Sequence, residues 1–160
     1  MQFGGLSSHG AVATSTPVVQ TFAQSLTDGI NRAIRGETPP IPPFNHAEWA
    51  TTTPDGIGFI TPHRDPPSAL GVVAITTLEG AARFCIWDDD ATDLPPAQHR
   101  DDTAHQWDTG DGDLVILRCD AWPSAQARSP VHEAKSRPAG RRHTLTLRHN
   151  RNGYGADYFT

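Results

Sequence analysis

From Gly56 onward the apolar residues never settle into a helical period. They come in short runs, GIGFITP, GVVAITTL, ARFCIW, HQW, DLVILRC and RHTLTLR, each closed by turn residues. Runs of this length that alternate, or are apolar throughout, read as strands. Strands that follow one another with no helix between them lack the crossovers a parallel sheet requires, so the expected class is mainly β, an antiparallel barrel or jelly roll. One helix precedes them. Thr16 is placed to cap it, Pro17 suits its first position, and Val19, Phe22, Leu26, Ile30 and Ala33/Ile34 recur at helical spacing until Gly36, predicting an amphipathic helix over about 17–35. The proline-rich TPPIPP at 38–43 can be neither helix nor central strand. Residues 1–15, small and polar, are expected to fray or lie loosely on the body. At 160 residues the chain fits one domain, with its β core over about 50–150.

A formal charge of -5 conceals an asymmetry: residues 1–127 carry 16 of the 18 acidic side chains but only 6 of the 13 basic ones. Arg128, Lys135, Arg137, Arg141, Arg142, Arg148 and Arg151 crowd the last fifth of the chain, around an apolar strand, where they are suited to an anion. The segment 88–113 has nine aspartates against Arg100 alone, with a Pro-Pro pair and TGDG; it reads as a solvated excursion ending in a turn and a strand from Asp113 to Arg118. Cys85 and Cys119 lie in or beside apolar runs and read as reduced core thiols. No stretch reaches the 18 or so apolar residues of a membrane helix, and no basic start leads into an apolar segment, so the expectation is a cytoplasmic protein that does not engage a membrane.

Alternate side chains of a strand share a face, which puts His63 and Asp65 of T-P-H-R-D on the side of Phe59 and Thr61, with Arg64 pointing away. An imidazole and a carboxylate so placed can take adjacent positions on one cation if a third ligand arrives from elsewhere. His132, 69 positions downstream in S-P-V-H-E, is the candidate. Two histidines and a carboxylate on one face of an octahedral metal leave three positions open, which suits non-haem iron(II) and oxygen chemistry. Taken alone, the pair is a weak signal, and a surface strand end with two polar residues is its more common origin. The residues after His132 separate the two readings.

Arg142-His143-Thr144-Leu145-Thr146-Leu147-Arg148 alternates strictly, with Arg142, Thr144, Thr146 and Arg148 on one face and Leu145 and Leu147 on the other. Two guanidinium groups facing a core require an anion, and a dicarboxylate fits because arginine binds a carboxylate with a planar pair of hydrogen bonds. His143 and His149 fall on the leucine face. The tryptophans read as core or loop anchors, and Trp122, shortly before His132, is a candidate for the mouth of a site.

This combination resembles the iron(II) and 2-oxoglutarate dioxygenases, and within them the AlkB-like branch. The residues that carry the resemblance are H-R-D at 63–65, His132, R-H-T-L-T-L-R at 142–148, Gly56 to Asp65 read loosely as G-x-x-I-x-x-H-x-D, and G-D-L-V-x-L at 112–117; together they span about 50–150. The resemblance implies a double-stranded β-helix with His63, Asp65 and His132 holding Fe(II). It also implies 2-oxoglutarate and O2 as co-substrates, with Arg142 on the far carboxylate, Thr144 beside it and Arg148 near the metal-bound end. A carboxylate ligand leaves no place for a halide, so hydroxylation or oxidative demethylation is implied. The branch's Asn-x-Tyr is replaced here by the region of Thr51, Thr52, Thr53 and Pro54, and only about 60 residues precede His63, too few for its nucleotide-recognition lid. A small-molecule substrate is therefore favoured over nucleic acid. An AlkB-type demethylase of nucleic acid or nucleotides, and a cupin-like module that binds metal or ligand without turnover, stay open as alternatives.

Overall fold

Backbone pairing gathers the strand runs into two antiparallel sheets laid face to face. A computed structural model describes residues 6–36, 39–53, 59–87, 104–119, 122, 128–136 and 140–151. Within them the strands are β1 (Leu6–Ala11), β2 (His46–Thr52), β3 (Phe59–His63), β4 (Ala69–Glu79), β5 (Ala82–Ile86), β6 (His105–Thr109), β7 (Leu114–Arg118), β8 (His132–Ser136) and β9 (Arg142–Asn150). The larger sheet has the order β1-β2-β9-β4-β7 and the smaller one β3-β8-β5-β6. This is a double-stranded β-helix, a jelly roll of mainly β character with one helix ahead of it, as the strand runs predict.

That helix, α1, runs Pro17–Ala33, with Pro17 in its first turn. Thr16 occupies the position before it but makes no side-chain capping bond, contrary to expectation. Its buried face, Val19, Ala23, Thr27 and Ile30, packs with Phe22, Leu26 and Ile34 against Ala47, Val72, Ala74, Leu145 and Leu147 on the outer side of the larger sheet. Each such aliphatic side chain removed from water contributes about 1.5–3 kcal/mol, so α1 is what lets the outer face of this sheet be apolar. No helix among the described residues is long and apolar enough to cross a membrane.

The inner layer joins the sheets: Ala82, Phe84 and Ala134 of the smaller one meet Ile75, Val115 and Leu117 of the larger, with Ile86 at the margin. Cys85 and Cys119 are buried thiols outside any disulfide, as read from their apolar surroundings.

Residues Leu6–Ala11, expected to lie loosely, instead form an edge strand registered on β2 from Leu6↔Thr51 to Ala11↔His46. Its L-S-S-H-G-A sequence has no hydrophobic alternation, and the pairing is a matter of backbone hydrogen bonds to a neighbour about 40 residues away in sequence. The excursion's ending is found as read: Gly112 has φ 84°, Asp113 Oδ2 accepts from Gly110 N at 2.8 Å, and β7 follows. Residues 88–103 of that excursion, and Gly56 to Gly58 of the loose motif, lie outside the described residues.

Candidate metal centre and anion site

His63 is the last residue of β3, and β8 begins at His132, its cross-strand partner. The ladder between these strands shifts register between Ile60 and His63, and Asp65 follows two residues past the end of the strand. The expected shared strand face is thus a strand end plus the irregular segment after it, yet the three side chains still converge. One ligand atom from each of His63, Asp65 and His132 lies within 4.8 Å of the others. Phe84 stacks on His132 at 5.8 Å and 9° and fixes its plane, while the His63 ring lies 4.3 Å away on a tilt of 53°.

The hydrogen bonds set the chemistry of these groups. His132 Nδ1 lies 3.1 Å from the Pro130 carbonyl. A carbonyl can only accept, so Nδ1 carries a proton and, in the neutral ring, Nε2 presents its lone pair, 3.8 Å from Asp65 Oδ2. Asp65 is 6% exposed, and its Oδ2 has no hydrogen-bond partner among the described residues. A buried carboxylate oxygen facing an imidazole lone pair is unfavourable until a cation lies between them. A divalent metal fits this donor set, and a histidine whose second nitrogen is held by a backbone carbonyl is the usual form of a metal-ligating one.

Parity places the arginine face of β9 toward the layer between the sheets. Arg142, Thr144, Thr146 and Arg148 are all buried, as are Leu145 and Leu147 on the α1 side. Arg142 is 5% exposed, and among the described residues its one side-chain contact is Nη2 to Thr77 Oγ1, a long 3.5 Å; its Nε has no partner. Burial pushes the guanidinium down to about 10, leaving it charged at neutral pH with its desolvation uncompensated. Thr52 lies directly opposite Arg142 on β2, and Thr144 opposite Thr77 on β4.

Arg148 differs. Its Nη2 donates to Glu48 Oε2 at 2.6 Å, both side chains only 8% exposed. The anion that meets Arg148 belongs to the protein. Sequence reasoning does not single out Glu48, although the alternation His46-Ala47-Glu48-Trp49 places it on the same face as the arginines once β2 is known to pair with β9. It likewise misses Thr77, Phe84 and Gly80. Gly80, at φ +86°, lets the β4–β5 turn press on the start of β9: a Cβ there would lie 2.2 Å from the Arg141 carbonyl oxygen and 3.0 Å from Arg142 Cα. Gly80→Ala is therefore expected to cost about 1–3 kcal/mol, read from denaturant midpoints, and to displace Arg142.

Other residues fall away from the site. Trp122 donates its indole N–H to the Pro39 carbonyl at 3.2 Å and packs into the α1 cluster, not at a mouth between the sheets. His149 Nδ1 lies 2.6 Å from the Pro43 carbonyl, and His143 Nδ1 lies 2.9 Å from Thr51 Oγ1.

No protein-family signature and no curated protein matches the sequence. Solved structures do resemble the fold. OsALKBH1 superposes with a TM-score of 0.57 at 21% identity, over 84% of this chain and 66% of that one. A Pseudomonas putida prolyl-4-hydroxylase gives 0.54 at 16%, over 92% and 70%. A mutant of Bacillus subtilis oxalate decarboxylase OxdC gives 0.50 at 11%, over 94% and 27%. At such identities the likeness is one of architecture: a jelly roll of the kind found in these enzymes, of which this chain spans two thirds or less in OsALKBH1 and about a quarter in the decarboxylase.

Proposed function

We propose that the chain is a non-haem iron(II), 2-oxoglutarate-dependent dioxygenase that hydroxylates or oxidatively demethylates a small-molecule substrate. The observation that carries this reading is Arg142, a buried cation aimed into the layer between the sheets with, among the described residues, only a hydroxyl at 3.5 Å to answer it. The His63, Asp65 and His132 cluster borders the same layer through Phe84, and folds shared with a prolyl-4-hydroxylase and with OsALKBH1 support the reading.

His63, Asp65 and His132 would hold iron(II). When bound, it supplies the oxygen chemistry that couples conversion of 2-oxoglutarate and O2 to succinate and CO2 with insertion of one oxygen atom into a substrate C–H bond. The chain's own residues do the remainder. The Pro130 carbonyl keeps the proton on His132 Nδ1, so that Nε2 stays a donor. Asp65 brings one negative charge to a buried site. Arg142 receives the far carboxylate of 2-oxoglutarate as a planar fork, and Thr144, on the same face, lies within that wall. Phe84, Ile75, Val115, Leu117 and Ala134 keep water from the layer in which these charges meet.

The test is anaerobic addition of iron(II) and 2-oxoglutarate followed by oxygen. One equivalent of iron and oxygen-dependent succinate are expected, released slowly without substrate and faster with one. Iron binding with no succinate at any substrate tried would leave a metal-binding module of the cupin kind.

A further inference from the structure

Arg64 stands between two proposed ligands in sequence and reaches the segment that carries the third. Its guanidinium Nη1 donates to the backbone carbonyl of Ser129, which is fully buried. Each of the three carbonyls leading into His132 thus has a partner: Ser129 is met by Arg64, Pro130 by the His132 ring, and Val131 by the backbone N–H of Trp87 at 3.0 Å. Residues 128–131 belong to no helix or strand, so these contacts, and not a ladder, hold them. The ladder itself is irregular where it matters, between Ile60 and His63, just before the His63↔His132 pair.

We propose that Arg64 is a positioning residue that ties the His63–Asp65 segment to the approach of His132 and so sets the three donor atoms at metal-binding separation. The inference rests on the proposed metal centre. Through this contact the action of Arg64 passes by way of the Ser129 carbonyl and the two peptides that follow. A guanidinium suits such a tie because it is planar, always charged and rich in donors. It holds a carbonyl in a fixed direction, which a single flexible ammonium does poorly.

The experiment is equilibrium dialysis of cobalt(II), with its d–d absorption recorded, against wild type, Arg64→Ala, Arg64→Lys, Arg64→Gln, His132→Ala and the surface control Arg83→Ala. Melting of each metal-free protein in chelator is measured alongside. Arg64→Ala is expected to weaken cobalt binding about 10- to 100-fold, the range for removing an outer contact of a metal ligand. Its d–d bands should shift, while its metal-free melting stays close to wild type. Arg64→Lys and Arg64→Gln should fall between, and they carry the test should the alanine variant not fold. His132→Ala should lose the site, and Arg83→Ala should match wild type. Wild-type affinity and bands in all folded Arg64 variants, with the site lost in His132→Ala, would overturn the role given to Arg64. So would a fall in metal-free stability as large as the fall in affinity, which would make Arg64 a general structural contact. Wild-type binding by His132→Ala would overturn the metal centre itself.

Discussion

Arg142→Ala is expected to raise the 2-oxoglutarate concentration needed for half-maximal turnover by about 10- to 150-fold, with iron binding unchanged. A charge-assisted hydrogen bond to a buried carboxylate is worth roughly 1.5–3 kcal/mol, and about 1.4 kcal/mol is a factor of ten. Arg142→Lys should restore part of the loss, because an ammonium cannot make the two-pronged contact. Arg141, adjacent in sequence but exposed and of opposite parity, supplies the control: Arg141→Ala should be nearly silent. Equal co-substrate dependence in the two alanine variants would move the anion site off this strand. The same group has a stability signature. A cation whose folded pKa, about 10, lies below its unfolded value lowers stability at every pH below about 10, and the penalty lifts as pH rises from there. At neutral pH a dicarboxylate that answers the charge should therefore raise the melting temperature of the wild type. It should do so much less in Arg142→Met.

Arg148→Ala should act on folding rather than on co-substrate. Removing it leaves Glu48 inside the layer without the guanidinium that lies 2.6 Å away, and breaking a buried pair from one side costs about 3–5 kcal/mol. Glu48→Ala should cost a similar amount for the converse reason, whereas the double change Glu48→Gln with Arg148→Met should recover most of the loss, since two charges leave together. Urea midpoints of the three variants measure this directly. The resemblance to the dioxygenases assigns Arg148 to the metal-bound end of 2-oxoglutarate. A stable Arg148→Ala variant with a weakened co-substrate response would favour that assignment over the ion pair.

These two arginines show what the chain discloses before folding and what it withholds. Their common face follows from period-two alternation alone, because Arg142 and Arg148 are six residues apart in one strand with threonines between them. Their difference does not, because it depends on Glu48, 100 positions away from Arg148 and brought close by β2 pairing with β9. No local rule reads a register across that span. The helix, the β9 strand and the two buried cysteines are legible because each is a local pattern of burial. β1, β2 and β8 are not: L-S-S-H-G-A, H-A-E-W-A-T-T and H-E-A-K-S carry small or charged residues where hydrophobic alternation is sought, and their pairing is set by neighbours. The H-R-D motif names the candidate ligands while misplacing their setting, since β3 ends at His63 and Asp65 is delivered by the irregular segment beyond it.

The candidate donors and the candidate anion receptor come from different walls of the molecule: His63 and His132 from the smaller sheet, Arg142 from the larger. Between them the walls are held mainly by aliphatic and aromatic contacts, which are strong but have no direction. A dicarboxylate gripped at one end by Arg142 and at the other by the His63, Asp65 and His132 centre would act as a tie-rod across that gap. Its length would set the spacing of the walls, and a diacid one methylene shorter or longer would have to draw them together or prise them apart.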